Sequence, residues 1–221
     1  MNLKELIRRF RTLASDKAEP FFWSDGELTD WFNDAQEQAC MRGRLLRDDA
    51  TSAVVQIALE PAQHTYPLHE SVYEIISITL RGRSGTRAIT IKSREWLDEY
   101  SQDWRDEQER PAVWAIQDET SLRIVGRIEE GDVLHLDVYR LPLELLSLST
   151  DEPEIHKASH VHLLDWVLHQ AYSVPDTEAF DPQRSALAEQ KFTSYFGELP
   201  DSDMRRMTRE DVPHHNRAIL P

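Results

Sequence analysis

Apolar residues recur at helical spacing at both ends of this chain and at every second position in its middle, and that change of period most constrains the fold. From Met1 to Ala14, the residues Leu3, Leu6, Ile7, Phe10 and Ala14 share one side of a helix, beside a basic face of Lys4, Arg8, Arg9 and Arg11. After Pro20, Ser24-Asp25-Gly26-Glu27 has the spacing of a capping box. Leu28, Trp31, Phe32, Ala35 and Ala39 carry the helix that follows toward a terminator at Gly43. From about Ala53 the pattern alternates. Val55, Ile57 and Leu59 predict one strand, residues 71–80 a second, and RAITIK a third beyond a turn at residues 81–85. Ser93 predicts the cap of a short helix through Trp96, Leu97 and Tyr100, and AVWAIQ, SLRIV and DVLHLDVYRL predict three more strands, closed by Pro142. Helical spacing returns over residues 154–173, with Val161, Leu164, Val167, Leu168 and Ala171 as its stripe. It returns again after Asp181-Pro182, where Leu187, Ala188, Phe192, Tyr195 and Phe196 lead to Gly197.

Helices flanking a strand-rich centre predict an α+β fold. The expected arrangement is terminal helices packing as a helical bundle, with a central, mainly antiparallel β domain of five to seven strands inserted, and an extended C-terminal tail. Residues 1–50 would form the N-terminal helices of the bundle, 51–150 the β domain with a short helix, and 151–197 the C-terminal helices. Residues 198–221, rich in charge and proline, hold too few large apolar residues to build a core and read as a tail that orders on docking.

Composition narrows the function. The formal net charge is −15, from 25 basic and 40 acidic side chains, which disfavours gripping nucleic acid through its phosphates. The excess is concentrated in residues 101–200, where 20 acidic side chains face 8 basic ones. A single cysteine, Cys40, allows no internal disulfide or thiolate metal cluster and fits a reducing cytoplasm, with Cys40 as an apolar filler. The first ten residues lack the apolar core of a signal peptide, and no run approaches the ~18 apolar residues of a membrane span, so a soluble chain made in the cytoplasm is expected.

Catalytic patterns are weak. Phosphate-binding glycine loops and nucleophile elbows do not occur in the sequence. His156 and His160 stand one helical turn apart and are the candidate metal pair, with His162 and His169 on flanking faces. Lys157 occupies the position where a zinc-protease helix carries its glutamate. His214-His215 is a second, looser candidate. The acidic stretches DWRDEQE and RIEEGD read as solvated charge rather than acid/base pairs. RGRSGTR reads first as a hairpin tip, and its Arg81, Arg83 and Arg87 also offer a basic docking loop, with contact to a phosphate backbone as the other reading.

Five segments in order carry a family resemblance: SDGELTDWFNDAQEQACMRGRLL, HTYPLHESVYEIISITLRG, ITIKSREWLDEY, GDVLHLDVYRLP, and the stretch from EPEIHKASH to KFTSYFG. The distinguishing features are the Trp31-x-Asn33-x-Ala35-Gln36 helix, Tyr66-Pro67-Leu68, Tyr139-Arg140-Leu141-Pro142 and Glu154-Ile155-His156. These are followed by Ala171-Tyr172, Asp176-x-Glu178 and Phe192-x-x-x-Phe196. Over residues 20–197 the chain resembles the head-to-tail adaptor (head-tail connector) proteins of tailed double-stranded-DNA bacteriophages. It departs from them at Glu109-Arg110-Pro111, where similar proteins tend to have Gly-x-Pro.

The resemblance implies a structural virion protein with no enzymatic activity, cofactor or metal. It implies a homo-oligomeric ring, a dodecamer, in the neck between capsid and tail, contacting the portal protein on one side and tail or nozzle proteins on the other. DNA would pass through without sequence-specific binding, along a wall to which the acidic surface contributes. The helix at Met1 to Ala14 and residues 198–221 are the expected contacts with neighbouring subunits or the portal. The competing readings are another neck or tail-completion protein and a metal-dependent enzyme using His156 and His160.

Overall fold

The computed structural model describes residues 1–101, 103–106, 109–175 and 178–200. The chain divides into two units, one made of Met1–Leu46 with Arg140–Leu199, the other containing Arg47–Tyr139. It is a mixed α+β protein.

In the first unit, α1 (Leu3–Ala14) starts at Asn2, whose side chain accepts from the Glu5 N–H while Glu5 reaches back to the Asn2 N–H, and ends at Ser15 in the left-handed region (φ 62°). Helix α2 (Asp25–Gly43) starts with the expected capping box of Ser24 and Glu27. Its end differs from expectation by one residue: Gly43 is still helical, and Arg44 takes the left-handed conformation (φ 48°). The single helix expected over residues 154–173 is two pieces. His156 caps a tight 3₁₀ turn, Lys157–His162, by accepting from the Ala158 N–H, and α5 proper runs Leu163–Ser173. Asp181 caps the last helix, α6 (Pro182–Phe196), accepting from Gln183 and Arg184 N–H, and Gly197 (φ 95°) ends it. Leu6, Phe10, Leu28, Phe32, Leu163, Val167 and Phe192 are fully buried in one core shared by these four helices. Burial of each side chain of this size stabilises by about 1.5–3 kcal/mol relative to exposure.

In the second unit, β1 (Arg47–Asp48), β2 (Gln56–Ala58), β3 (Thr65–Pro67), β4 (Val72–Gly82), β5 (Gly85–Ile91), β6 (Trp114–Gln117), β7 (Ser121–Val125) and β8 (Val133–Arg140) form one sheet. Its order is β1-β8-β4-β5-β6-β7-β3, with β2 also paired to β8. Strands β1 and β2 with β8, β3 with β7, β4 with β5 and β6 with β7 pair antiparallel, and β5 pairs with β6 in parallel. A parallel neighbour cannot be reached by a tight turn, and the β5–β6 crossover accordingly contains helix α4 (Arg94–Tyr100), capped by Ser93. The segment where the family pattern is broken, Glu109-Arg110-Pro111, leads into backbone tied to Arg127: Arg127 N–H donates to the Arg110 carbonyl (2.7 Å) and Ala112 N–H to the Arg127 carbonyl (3.3 Å).

The strand expected from Ala53 is the clearest difference. Ser52–Val55 is one helical turn, α3, and the strand proper is only Gln56–Ala58. Adjacent Val54 and Val55 are both buried, which a strand facing water on one side cannot achieve and a helical turn can. Asp48 sets the turn up by accepting from the Ala50 and Thr51 N–H groups.

Candidate docking surfaces

The four candidate histidines of the last helices have separate tasks and do not converge. His156 is spent on its cap. His160 is fully buried, with Nε2 2.9 Å from the Ile155 carbonyl and Nδ1 3.1 Å from that of Met1. The one-turn spacing therefore does not hold two imidazoles out on a common face, because the 3₁₀ turn directs one of them inward. His162 stacks on Tyr195 with ring centres 3.6 Å apart, and His169 lies 2.9 Å from the Ser185 hydroxyl. Among the described residues, no group of three His, Cys, Asp or Glu side chains could hold a metal ion. His214 and His215 lie outside the described residues. Burial, reinforced by the charge of Glu154, pushes the Cys40 thiol up to about 12, which makes it a poor nucleophile.

The acidic and basic stretches mostly stabilise turns. Hydrogen bonds from Arg105, and from the Trp104 indole at 2.8 Å, hold the Asp98 carboxyl below its ordinary range. In RIEEGD, Asp132 is buried and accepts from the Glu129 N–H at 3.0 Å. RGRSGTR is the expected hairpin tip, between β4 and β5: Arg81 lies in β4 opposite Thr86, Arg83 sits exposed at the tip, and Arg87 is half-buried, donating to the Ala112 carbonyl at 2.8 Å. On α1, Lys4, Arg8 and Arg9 are exposed as expected, but Arg11 is buried and belongs to the core side.

The residues that carry the family pattern hold the fold together. Asn33 clamps the backbone of Leu146 on both sides, donating to its carbonyl (3.0 Å) and accepting from its N–H (2.8 Å). Arg140 makes a two-pronged pair with Glu154, and Glu154 also accepts from the Leu143 N–H at 3.0 Å. The Tyr66 hydroxyl accepts from Glu60 N–H (2.8 Å) and lies 2.7 Å from the Gln63 carbonyl, closing the loop ahead of β3. Phe192 and Phe196 are buried against each other, with ring centres 4.7 Å apart, and Arg42 lies over Phe192 while donating to the Thr193 hydroxyl at 2.9 Å.

What faces water is suited to association. The loop after β8 exposes Leu143, Leu145 and Leu148 while burying Leu146. A groove of about 350 Å³ is lined by Arg8, Arg9, Thr12, Leu13, Val161 and Leu164. Trp96, Tyr100 and Trp114 form an aromatic cluster on the second unit, Trp96 stacked on exposed Tyr100 at 4.5 Å. Among the described residues, no helix is long and apolar enough to cross a membrane.

No curated protein matches this chain. The profile of one family, described as SU10 adaptor protein, matches residues 1–216, taking in α1 and most of the C-terminal segment beyond the stretch that carries the sequence resemblance. With the profile matching nearly the whole chain, the chain belongs to the SU10 adaptor protein family and is a structural adaptor of a phage particle.

Proposed function

We propose that the chain is a head-to-tail adaptor that assembles into a ring of twelve beneath the portal, in the virion neck, joining the DNA-filled capsid to the tail. The observation that carries this reading is the family match over residues 1–216. It is supported by apolar groups held in water on well-anchored backbone, an arrangement that costs solubility in a monomer and is useful in an assembly. In this reading the helices of the first unit act as a bundle that docks by self-association, and the unit performs no chemistry. Residues 198–221, of which 201–221 lie outside the described residues, reach onto the portal or a neighbouring subunit. Part of the acid excess faces the channel, where like charge keeps DNA phosphates from adhering as the duplex passes without sequence-specific contacts.

Deleting residues 198–221 tests the docking role. The expected outcome is a folded, soluble protein that is missing from capsids, which then fail to acquire tails. Normal yields of tailed particles with the truncated protein would refute it. Imaging of the neck at subunit resolution tests the ring, its copy number and the facing of the acidic surface.

A further inference from the structure

The loop Leu141–Thr150 is anchored more firmly than its position on the surface requires. Leu146 is plugged into the core, and both its backbone groups are bound by Asn33. Asp151 accepts from the N–H groups of Ser147 (2.9 Å) and Leu148 (2.7 Å), and those hydrogen bonds hold its carboxyl below its ordinary range. Glu154 accepts from Leu143 N–H, and the carbonyls of Ser149 and Asp151 accept from the Lys4 and Leu3 N–H groups at the start of α1. What this scaffold presents to water is Leu143 at 43%, Leu145 at 62% and Leu148 at 64% exposure, with exposed Glu144 between the first two. A knob ordered in advance loses little further entropy when it docks.

The same unit carries a matching socket. The groove beside α1 has Leu164 buried among its lining residues, while Leu13 (52% exposed) and Val161 (39%) remain open to water. Arg8 and Arg9 also line it, and among the described residues neither has an acidic partner, just as Glu144 has no basic one. The knob is apolar with an acid and the socket is apolar with two bases, so the two are complementary in both hydrophobicity and charge. Because both are on one chain, a contact between copies can use each of them once per subunit, which is the requirement for a head-to-tail interface that closes into a ring.

We infer that the Leu143–Leu148 loop of one copy docks in the Arg8/Arg9/Leu13/Val161 groove of the next copy, making the repeating contact of the assembled ring. The inference deepens the ring reading above and depends on it. The occupant is a second copy of this chain rather than a portal or tail protein, because both complementary halves are already present.

The test is a cysteine cross-link made in assembled particles. Leu13→Cys and Leu145→Cys are placed in the full-length chain singly and together, and particles are treated with a short bismaleimide. Both positions are exposed and buried Cys40 adds no competing thiol. The double variant is expected to give a ladder of covalent multimers beyond the dimer, each single variant none, and an equal mixture of the two single variants a dimer and nothing larger. Glu144→Arg is expected to lower incorporation into particles at least tenfold, and Arg8→Glu in the same chain to restore most of it. Rings visible in the neck without a ladder would overturn the loop-in-groove contact while leaving the ring intact, and a cross-link from Leu145→Cys to a different virion protein would do the same. A single copy per neck would overturn both.

Discussion

Arg11 and Asp16 meet at 2.5 Å with their side chains only 9% and 6% exposed, and together they lock the turn between the first two helices. Arg11 also donates to the Trp23 carbonyl (3.0 Å) and to Asp25 (2.6 Å), while Asp16 accepts from the Phe22 N–H (2.9 Å). The guanidinium further lies over the Phe21 ring at 3.8 Å. A charge in so dry a setting is tolerable only while it is paired. Replacing Arg11 with Met leaves Asp16 buried and uncompensated, and is expected to cost about 3–5 kcal/mol. Adding Asp16→Asn should recover part of the loss by removing the unpaired charge. Urea denaturation of the three proteins measures both effects; a single variant within 1 kcal/mol of the parent would show that the pair is not structural.

Asn33 reaches across 113 residues of sequence to Leu146 and satisfies both of its backbone groups. Asn33→Leu nearly preserves volume but strands a buried N–H and a buried carbonyl, each costing about 1–3 kcal/mol, so a loss of roughly 2 kcal/mol or more is expected. The exposed leucines on either side should lose their fixed presentation at the same time. Limited proteolysis should then cut within residues 143–148 faster than in the parent, well below the denaturation midpoint. Equal cutting rates would contradict the clamp.

These two cases show where sequence reasoning reaches and where it stops. The caps at Ser24, Ser93 and Asp181 are readable because a capping side chain bonds backbone within three residues of itself. Arg11 is misplaced when charge outvotes period: it stands four residues after Ile7 and three before Ala14, on the edge of the apolar stripe. The α3 turn is misread because Val55, Ile57 and Leu59 mimic strand alternation, and only tertiary packing shows that Val54 must be buried too. The break in the helix at His162 follows from where the His160 ring finds its partners, which local propensity does not encode. The exposed leucine loop and the groove beside α1 are the least legible part. LPLELLSLST has neither period, and the groove arises only when α1 packs beside the segment containing Val161 and Leu164.

Gly126 is a backbone position that no other residue fills comfortably. Its φ is +111°, and an added Cβ would come within 2.7 Å of the Ala112 Cα and 3.0 Å of the Arg110 carbonyl oxygen, main-chain atoms that are themselves tied to Arg127. Gly131 has a similar φ of +87°, but a Cβ added there would meet nothing within 4 Å. Gly131→Ala should therefore cost only the conformational strain, about 1 kcal/mol, and Gly126→Ala distinctly more, about 2–3 kcal/mol or above. Thermal unfolding of the two variants checks the order. Equal shifts would mean that the Ala112 segment yields without cost.

Two carboxyls of α2 contribute to the pH dependence. Burial, and then the charge of Asp30, raises the Asp34 carboxyl above its ordinary value, and burial, followed by the charge of Asp34, raises that of Glu37. A carboxyl raised in the folded state binds its proton more tightly there than in the unfolded chain, so its ionisation opposes folding. That opposition is complete at neutral pH and is relieved as pH falls through the raised values. Asp151 and Asp98 act in the other direction: hydrogen bonds from Leu148 and Ser147, and from Arg105 and Trp104, lower their carboxyls. Their stabilisation is present above the ordinary carboxylate value of about 4 and is lost as pH falls through their lowered ones. The melting temperature should therefore rise as pH is lowered through the raised carboxyl values, pass a maximum, and fall as pH drops through the lowered ones. Asp34→Asn with Glu37→Gln should raise the melting temperature at pH 7 and flatten the rise on the acid side of neutrality, leaving the acid limb in place. If the slope is unchanged in that double variant, the acid-side gain comes from the general negative charge of the chain and not from this face of α2.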